Sequence, residues 1–410
     1  MSYHDPRNVL DGGNGNVTSS ISPLSGKYVP NRLKALYYGP DVVKSHLLSC
    51  LPTETSKAFI VTGNSLANKT PLIKGLESLL SKHHAGTYSG ITEHSPQTQV
   101  EEVASRLNED PSIDTIISVG GGSPMDSAKN ITYVVHEATG RWLSHITIPT
   151  TLSAGECTPG AGFTRADGVK GVLVNPALYP DYILYDPKFG VYTPPRLFLS
   201  TGIRALDHAV ESQYHQSVTY IPSRIMALSA ITELFRLLPE YEANPKDEDT
   251  ITALFLAAYA SLGFFGQNMG RGLGLSHRLG YALGSPYGIP HGITSCITLG
   301  HVVKLQARQD EKSAGEIAAI LPYIGEKRSG NDVEDSDLVG NRILGLVQQI
   351  GLKTDLTIKG VGKNQVDVIC ARATRLEVGE KTIEEPRFYN SASGIISSAA
   401  KISAEALKDW

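Results

Sequence analysis

A run of three glycines at positions 120–122 constrains the fold of this chain more than any other stretch of its sequence. It follows the strand-forming run at 115–119 (Thr-Ile-Ile-Ser-Val) and precedes Ser123 and Pro124, which suit the cap and the first turn of a helix. Glycine accepts positive φ angles and lets a ligand approach the backbone closely. Because the N-terminus of a helix attracts anions, this strand–turn–helix predicts a diphosphate site. A tight turn without a ligand is the alternative.

Other residues extend the predicted ligand site. The expected contacts come from the glycine turn, from the hydroxyl-rich loop that follows a strand at 146–149, and from one lysine at the start of a later strand. Hydroxyls in such a loop can donate hydrogen bonds to a polar ligand. For the lysine, an exposed and solvated side chain is the alternative interpretation. The candidate residues are Gly120, Gly121, Gly122, Ser123, Asp126, Thr150, Thr151, Ser153 and Lys170.

Strands and helices alternate through the first half of the chain. Predicted strands lie at about 57–62, 86–91, 115–119, 146–149, 168–175 and 182–186, with helices at about 71–83, 98–107 and from 124. This alternation is typical of a parallel sheet covered by helices. After the double proline at 194–195 the apolar spacing becomes helical. We therefore predict a flexible N-terminal arm at 1–30, an α/β domain at 31–195 and a helical domain at 196–410.

Composition and charge exclude several classes of protein. A chain of 410 residues is too long for one small core, which fits two domains. The formal net charge of −4 argues against nucleic acid or an anionic membrane as a partner. The four cysteines (50, 157, 296 and 370) are far apart, which fits reduced thiols better than disulfides or a zinc ribbon. No apolar run approaches the roughly 20 residues of a membrane span, and the N-terminus lacks a signal pattern, so we expect a cytoplasmic protein.

The helical half opens with residues that resemble part of a metal site. Arg204 and His208 are four residues apart and therefore share one face of a predicted helix. Two further histidines, His277 and His291, follow in a second segment. Imidazoles are common metal ligands and common proton donors. The pattern is therefore consistent either with a metal centre or with a related site that has lost its metal.

These motifs, taken in order, resemble the iron-containing alcohol dehydrogenase family, whose fold is shared with dehydroquinate synthase. The resemblance runs across nearly the whole chain from about Leu33, and the Gly-Gly-Gly-Ser-Pro-Met-Asp piece is highly specific. It implies an α/β dinucleotide-binding domain, an all-helical catalytic domain and a nicotinamide in the cleft between them. It also implies a homodimer that acts on a small molecule. The matching segments are 120–129, 149–151, 186–187, 202–211 and 277–292.

The resemblance further implies a divalent metal held by one aspartate and three histidines, and here the sequence departs from the family. The aspartate position is Arg204, whereas His208, His277 and His291 occupy the histidine positions, and a further histidine common in the family is Tyr281. Two like charges about 4 Å apart repel by about 4 kcal/mol at an effective dielectric constant of 20. Arginine cannot lose its proton to relieve this. We therefore expect no tightly bound catalytic Fe²⁺ or Zn²⁺; a metal that did bind would take the three histidines as ligands.

Arg204 suggests a different use of this position. A guanidinium that faces a cavity binds a carboxylate through two parallel hydrogen bonds. The maleylacetate reductases, a metal-poor branch of the family that reduces an unsaturated oxo-dicarboxylate, also lack the aspartate. The Pro-Thr-Thr at 149–151 and the His-Arg-Leu at 277–279 resemble that branch. The alternative is a structural ion pair between Arg204 and Asp207 or Glu211.

One position bears on the choice of cofactor. After the strand that ends at Thr62, many family members place an aspartate that accepts from the adenosine ribose and repels a 2′-phosphate. This chain has Gly63 there, followed by Asn64 and Ser65, and Lys69 lies further on. Removing the carboxylate removes the repulsion. We therefore expect NADP(H) to be favoured over NAD(H).

The sequence leads to one principal hypothesis and two alternatives. We expect NAD(P)H-dependent reduction of a carbonyl compound such as an oxo-acid, with hydride passing from nicotinamide to the carbonyl carbon. An imidazole or the Tyr281 phenol would protonate the oxygen in place of a metal. A metal-dependent alcohol dehydrogenase is the first alternative, and the same fold redirected to a non-redox reaction, such as cyclisation or dehydration, is the second. The candidate catalytic residues are Arg204, His208, His277, Tyr281 and His291.

Overall fold

The first half of the chain forms an α/β domain around a parallel sheet. The computed structural model describes residues 27–165, 170–268 and 272–374. The strands are β1 (Ala35–Tyr38), β2 (Lys57–Gly63), β3 (His84–Ile91), β4 (Ile113–Gly120), β5 (Ser144–Pro149), β6 (Gly160–Thr164), β7 (Lys170–Val174) and β8 (Tyr182–Tyr185). Six of them pair in parallel in the order β1-β8-β5-β4-β2-β3, while β6 and β7 form a separate antiparallel hairpin.

Helices cover both faces of this sheet. They are α1 (Val42–His46), α2 (Asn64–Lys69), α3 (Leu72–Leu80), α4 (Gln97–Glu109), α5 (Gly122–Thr139) and α6 (Pro187–Gly190). Successive residues of a strand point to opposite faces. In β4, Ile117 joins the core beneath α1 and α3, whereas Ile116 joins the core beneath α4 and α5. Burial on both faces explains the nearly continuous apolar sequence of the central strands.

The strand order creates a topological switch point between β2 and β4. From β2 the chain continues outward to β3, whereas from β4 it continues in the opposite direction to β5 and then β8. In open parallel sheets, ligands bind beyond the carboxyl ends of the strands at such a point. The residues at those ends are Gly63 of β2, Gly120 of β4 and Pro149 of β5. The segments predicted to bind a cofactor therefore meet at one edge of the sheet.

The described residues of the second half of the chain form a helical domain. Its helices are α7 (Pro195–Gln213), α8 (Ile225–Ala243), α9 (Glu248–Leu262), α10 (Leu275–Tyr287), α11 (His291–Gln309), α12 (Glu311–Ala318), α13 (Asp332–Gln349) and α14 (Val366–Thr374). Helix α7 lies at the centre, because every residue from Phe198 to Gln213 is buried. Helix α11 begins against it: a Cβ atom at Gly292 would lie 2.6 Å from the carbonyl oxygen of Ser200. This contact brings His291, the first residue of α11, close to α7.

This architecture confirms the predicted fold class, an α/β domain followed by a helical domain. The helical half begins with α7 at Pro195, beside the predicted boundary. The prediction that Ser123 caps a helix is wrong. Helix α5 begins at Gly122 with Gly121 in the cap position, and the Ser123 hydroxyl instead accepts a hydrogen bond from the His94 N–H at 3.3 Å.

The described end of the N-terminal arm packs on the helical half. Residues 1–26 of the predicted arm lie outside the described residues. The Val29 N–H donates to Asn268 Oδ1 at 2.9 Å, and the Val29 carbonyl accepts from the Gln267 N–H at 2.9 Å. Asn31 Nδ2 donates to the Gly263 carbonyl at 3.2 Å. The chain from residue 27 onward is therefore tied to the turn that follows α9.

The most apolar helix and the four cysteines all belong to buried cores. One described segment, Glu248–Asn268, is long and apolar enough to cross a membrane by length and composition alone. It consists of α9 and the turn after it, and its residues Ile251, Leu254 and Phe255 are packed inside the helical domain. Its composition is that of a core helix. The four cysteines are buried and form no disulfide, as expected for reduced thiols.

Candidate active site

The glycine turn after β4 and the hydroxyl loop after β5 lie against each other. Gly120 has a φ angle of +138°, which only glycine adopts readily, and its carbonyl accepts from the Thr150 N–H at 2.9 Å. A Cβ atom at Gly121 would lie 3.1 Å from Thr151 Cγ2, and the Thr151 and Ser153 hydroxyls are 3.0 Å apart. The structure thus brings these predicted ligand-binding residues together at the N-terminus of α5, where the first helical N–H groups favour an anion.

Two charged residues of α5 hold the β6–β7 hairpin in place beside this turn. An Asp126 carboxylate oxygen accepts from the Gly162 N–H of β6 at 3.1 Å. The fully buried Lys129 ammonium donates to three backbone carbonyls of residues 155–160 at distances from 2.6 to 2.9 Å. Asp126, predicted to contact the cofactor, therefore anchors β6. Lys170 is the first residue of β7, and its side chain lies outside the described structure.

The residues predicted to select the cofactor occupy the junction between β2 and α2. Gly63 ends β2 in an extended conformation, with a φ angle of −91°. A Cβ atom there would lie 3.5 Å from the Ile91 carbonyl oxygen, which is an ordinary contact. Helix α2 begins with Asn64 and Ser65, contains no acidic residue and ends at Lys69. The junction therefore has room for a side chain at Gly63 and carries no negative charge of its own.

A buried ion pair lies on the face of α7 that meets α10 and α11. Asp207 is fully buried, and its Oδ2 atom accepts from the Ser276 hydroxyl at 2.8 Å and the Ser295 hydroxyl at 2.6 Å. Arg204 Nη1 lies 3.9 Å from the same oxygen and 3.4 Å from the Ser295 hydroxyl. It also lies 3.4 Å from the point where a Cβ atom of Gly280 would stand. The guanidinium therefore sits between α10 and α11 with one carboxylate beside it.

A second carboxylate on the same face of α7 orients His277. Glu211 is fully buried; its Oε2 atom lies 2.7 Å from His277 Nδ1, and its Oε1 atom accepts from the Ser276 N–H at 2.7 Å. Asp207 Oδ1 lies 3.4 Å from the same nitrogen. Because a carboxylate only accepts, Nδ1 of His277 carries a proton. Its buried Nε2 atom has no hydrogen-bond partner among the described residues.

The charges in this group shift the pKa values of its members in different directions. Burial opposes the charged form of Asp207, but His277, Arg204 and the Ser295 hydroxyl outweigh it, so the pKa of Asp207 is lowered. Burial and Arg204 oppose the charged form of His277, but the carboxylates of Asp207 and Glu211 outweigh both, so the pKa of His277 is raised. Burial, together with His277 and Arg204, holds the pKa of His208 well below its usual value. These surroundings therefore favour the neutral form of His208 and the charged form of His277.

The histidines expected from the sequence divide into two groups. The rings of His208 and His277 lie 4.9 Å apart, centre to centre, and are tilted by 33°. His291 instead has the ring of Tyr281 edge-on to it at 5.7 Å. Among the described residues, the group of three or more histidine, cysteine or acidic side chains with ligand atoms within 4.8 Å of one another is Asp207, Glu211 and His277, which includes neither His208 nor His291.

Two site residues have roles that the sequence does not reveal. Glu211 follows Asp207 by four residues, so helical spacing could have placed it on the same face, but its partner His277 is 66 residues away. His94, in the loop after β3, has its ring 5.8 Å from that of His291, with an angle of 88° between the planes. No motif surrounds His94 in the sequence, and only the packing of the two domains brings it to the site.

The buried ion pair predicts a large and pH-dependent loss of stability when its carboxylate is removed. We expect Asp207→Asn to lower the free energy of unfolding at pH 7 by roughly 3–5 kcal/mol, because Arg204 keeps its charge without a counter-charge. Asp337→Asn, which removes a partly exposed pair with Arg308, should cost about 1 kcal/mol or less. Urea denaturation of both variants and the wild type measures this.

The same measurement at acidic pH gives a second check. Folding lowers the pKa of Asp207, so its contribution is present above the unfolded value of about 3.9 and is lost as the pH falls through the folded value. The difference between wild type and Asp207→Asn should therefore shrink below about pH 4. A difference that stays constant with pH, or that equals the effect of Asp337→Asn, would contradict the ion pair.

Comparison with known proteins agrees with this architecture. The family model for iron-containing alcohol dehydrogenase matches residues 34–187, and the model for the C-terminal domain of the Fe-containing alcohol dehydrogenase family matches residues 198–389. The maleylacetate reductase from Agrobacterium tumefaciens has a similar fold, with a TM-score of 0.72 at 21% identity over 95% of this chain and 99% of that one.

Two relatives have a higher sequence identity to this chain than that reductase, but over a smaller share of it. Dehydrogenase FUM7 from Gibberella moniliformis is 33% identical over 40% of this chain, and maleylacetate reductase 2 from Cupriavidus pinatubonensis is 32% identical over 43%. The chain spans about half the length of these relatives, 45% and 46% respectively. Because the two family models cover both the α/β and the helical half, the chain belongs to the iron-containing alcohol dehydrogenase family.

Proposed function

We propose that this protein is an NAD(P)H-dependent reductase of small oxo-acids, in the manner of a maleylacetate reductase, and that it works without a tightly bound metal. The observation that carries the proposal is Arg204, a buried guanidinium at the position where the family's metal requires an acid. Family membership supports an oxidoreductase that uses a nicotinamide cofactor. Relatives named maleylacetate reductase support a substrate that carries carboxylates.

Arg204 retains hydrogen-bonding capacity for such a carboxylate. A guanidinium has five N–H donors in a planar fork. Within the described residues, Arg204 contacts Ser295 and Asp207, both through Nη1 and both at 3.4 Å or longer. Its side chain is 10% exposed, so part of it is accessible. The remaining donors match a carboxylate that accepts two parallel hydrogen bonds.

The residues around Arg204 do not fit the family's divalent metal. Asp207, Glu211 and His277 have ligand atoms close together, which is the observation that favours a metal-dependent alcohol dehydrogenase. Both serine hydroxyls donate to Asp207 Oδ2, and each Glu211 oxygen accepts one hydrogen bond, from Ser276 N–H or His277 Nδ1, while Asp207 Oδ1 has no hydrogen-bond partner among the described residues. A cation there would stand beside the Arg204 guanidinium and would have to displace the proton on His277 Nδ1. We therefore propose a reaction in which no metal takes part.

The side chains present can supply the proton that reduction requires. The reduced nicotinamide supplies a hydride, which forms the new C–H bond at the carbonyl carbon. The carbonyl oxygen then needs one proton to become a hydroxyl. His277 is the best donor, because Glu211 holds its Nδ1 proton, its Nε2 has no described partner, and its raised pKa favours the imidazolium. The lowered pKa of His208 makes it a poor donor.

The sheet edge supports the binding of the cofactor. Gly120, Gly121 and the N-terminus of α5 can accept the diphosphate, with the Thr151 and Ser153 hydroxyls beside them. We propose that NADP(H) is preferred, because Gly63 and the neutral start of α2 leave no carboxylate to repel a 2′-phosphate.

Replacing Arg204 tests the substrate class. We expect Arg204→Met to lower kcat/KM for maleylacetate by roughly 10- to 150-fold, as expected for the loss of a charged hydrogen bond of about 1.5–3 kcal/mol. The value for propanal, which has no carboxylate, should change by no more than about twofold, since the donor His277 remains. Arg236→Met, on the exposed surface of α8, is the matched control. Equal losses for maleylacetate and propanal would contradict a role of Arg204 in binding the carboxylate.

Introducing the missing carboxylate tests cofactor choice. We expect Gly63→Asp to raise KM for NADPH by roughly tenfold or more through charge repulsion, with KM for NADH nearly unchanged. The extended backbone and the open contact at Gly63 allow the side chain. Asn68→Asp adds the same charge later in α2 and serves as the control. A wild type that uses NADH better than NADPH would refute the preference directly.

A further inference from the structure

A strained loop of the α/β domain carries His94 to the helical domain. The loop connects β3 with α4, and two consecutive residues in it, His94 and Ser95, have φ angles of +67° and +49°. Side chains other than glycine rarely adopt this left-handed conformation, because it costs free energy. Such a conformation persists only where the surrounding structure holds it, and it is concentrated at functional sites. Neighbouring elements must therefore hold this loop in its conformation.

Contacts from two neighbouring elements hold the loop. On one side, the first turn of α5 is bonded twice: the His94 N–H donates to Ser123 Oγ at 3.3 Å, and Ser95 Oγ donates to the Ser123 carbonyl at 2.9 Å. On the other side, at the end of β6, the Thr164 hydroxyl donates to the His94 carbonyl at 3.1 Å, and its N–H donates to the Ser95 carbonyl at 3.2 Å. These four hydrogen bonds fix the direction in which the His94 side chain leaves the backbone.

The fixed direction places His94 against His291 of the helical domain. The two rings are edge-on, with centres 5.8 Å apart and an angle of 88°. Tyr281 meets the same imidazole edge-on at 5.7 Å and 80°. His291 is only partly buried, so its own helix does not enclose it. The His94 ring from the α/β domain and the Tyr281 ring from the helical domain therefore both contact the His291 ring.

We propose that His94 is a positioning residue that holds the imidazole of His291, one of the candidate catalytic residues, in the orientation used in the reduction. Edge-on aromatic contacts are favourable and directional, and a flanking ring restricts rotation of the imidazole between them. Small displacements of a group that meets the substrate lower the rate strongly. The strained loop then lets His94 of the α/β domain contact His291 of the helical domain. This inference rests on the proposed reductase function.

Two substitutions of His94 separate ring placement from other roles. In His94→Ala we expect kcat for maleylacetate to fall roughly 10- to 100-fold, with KM for NADPH and the melting temperature unchanged. His94→Phe keeps a ring at the same place and should restore most of kcat. His46→Ala removes another ring-stacked histidine of the same domain, paired with Tyr37, and should leave kcat unchanged.

A readout independent of activity distinguishes failure of this inference from failure of the proposed function. In ¹³C-histidine NMR, with the His291 signal assigned from a His291→Asn variant, His94→Ala should shift the His291 Cε1–H resonance, and His46→Ala should not. An unshifted His291 resonance, or a His94→Phe variant as impaired as His94→Ala, overturns the positioning role. A wild type that reduces no oxo-acid, with the resonance shifted as expected, overturns the proposed function and leaves the placement of His291 by His94 supported.

Discussion

The buried positive charge of Arg204 is the constraint on which the site depends. A cation inside a protein is costly unless a counter-charge and hydrogen bonds accompany it. Asp207 provides the counter-charge from the next turn of α7, and serine hydroxyls from α10 and α11 hold its carboxylate. The Asp207 carboxylate thus connects helices α7, α10 and α11. The same contacts hold the starts of α10 and α11, where His277 and His291 lie, against α7.

Glu211 and His277 extend this charged group along α7 and α10. Glu211 lies one turn beyond Asp207 and holds His277 through Nδ1. Asp207 thus lies beside the Arg204 guanidinium, and both carboxylates lie beside His277, where they raise its pKa. The remaining N–H donors of Arg204 suit the anionic substrate that we propose. A divalent cation, by contrast, would stand beside the Arg204 guanidinium and would have to displace the proton on His277 Nδ1.

The features that follow from local rules could be predicted, and those that depend on distant packing could not. The glycine turn at 120–122 is a strand–turn–helix with its own sequence pattern, and it lies at the switch point of the sheet as expected. Helical spacing placed Arg204 and Asp207 on one face but left open whether the arginine pairs internally or binds a ligand. The bond between Glu211 and His277 depends on how α10 packs on α7. His94 was missed because neither histidine nor serine in its loop signals a left-handed backbone.

The central claim, that a buried arginine and its carboxylate stand where the family holds a metal, is tested most directly by elemental analysis. Wild type and Arg204→Asp are purified without chelator, and their iron and zinc contents are measured together with maleylacetate reduction before and after chelation. The account predicts substoichiometric metal and chelator-resistant activity in the wild type, with metal content rising towards one ion per chain in Arg204→Asp. A wild type that holds one metal ion per chain and loses activity on chelation would contradict it.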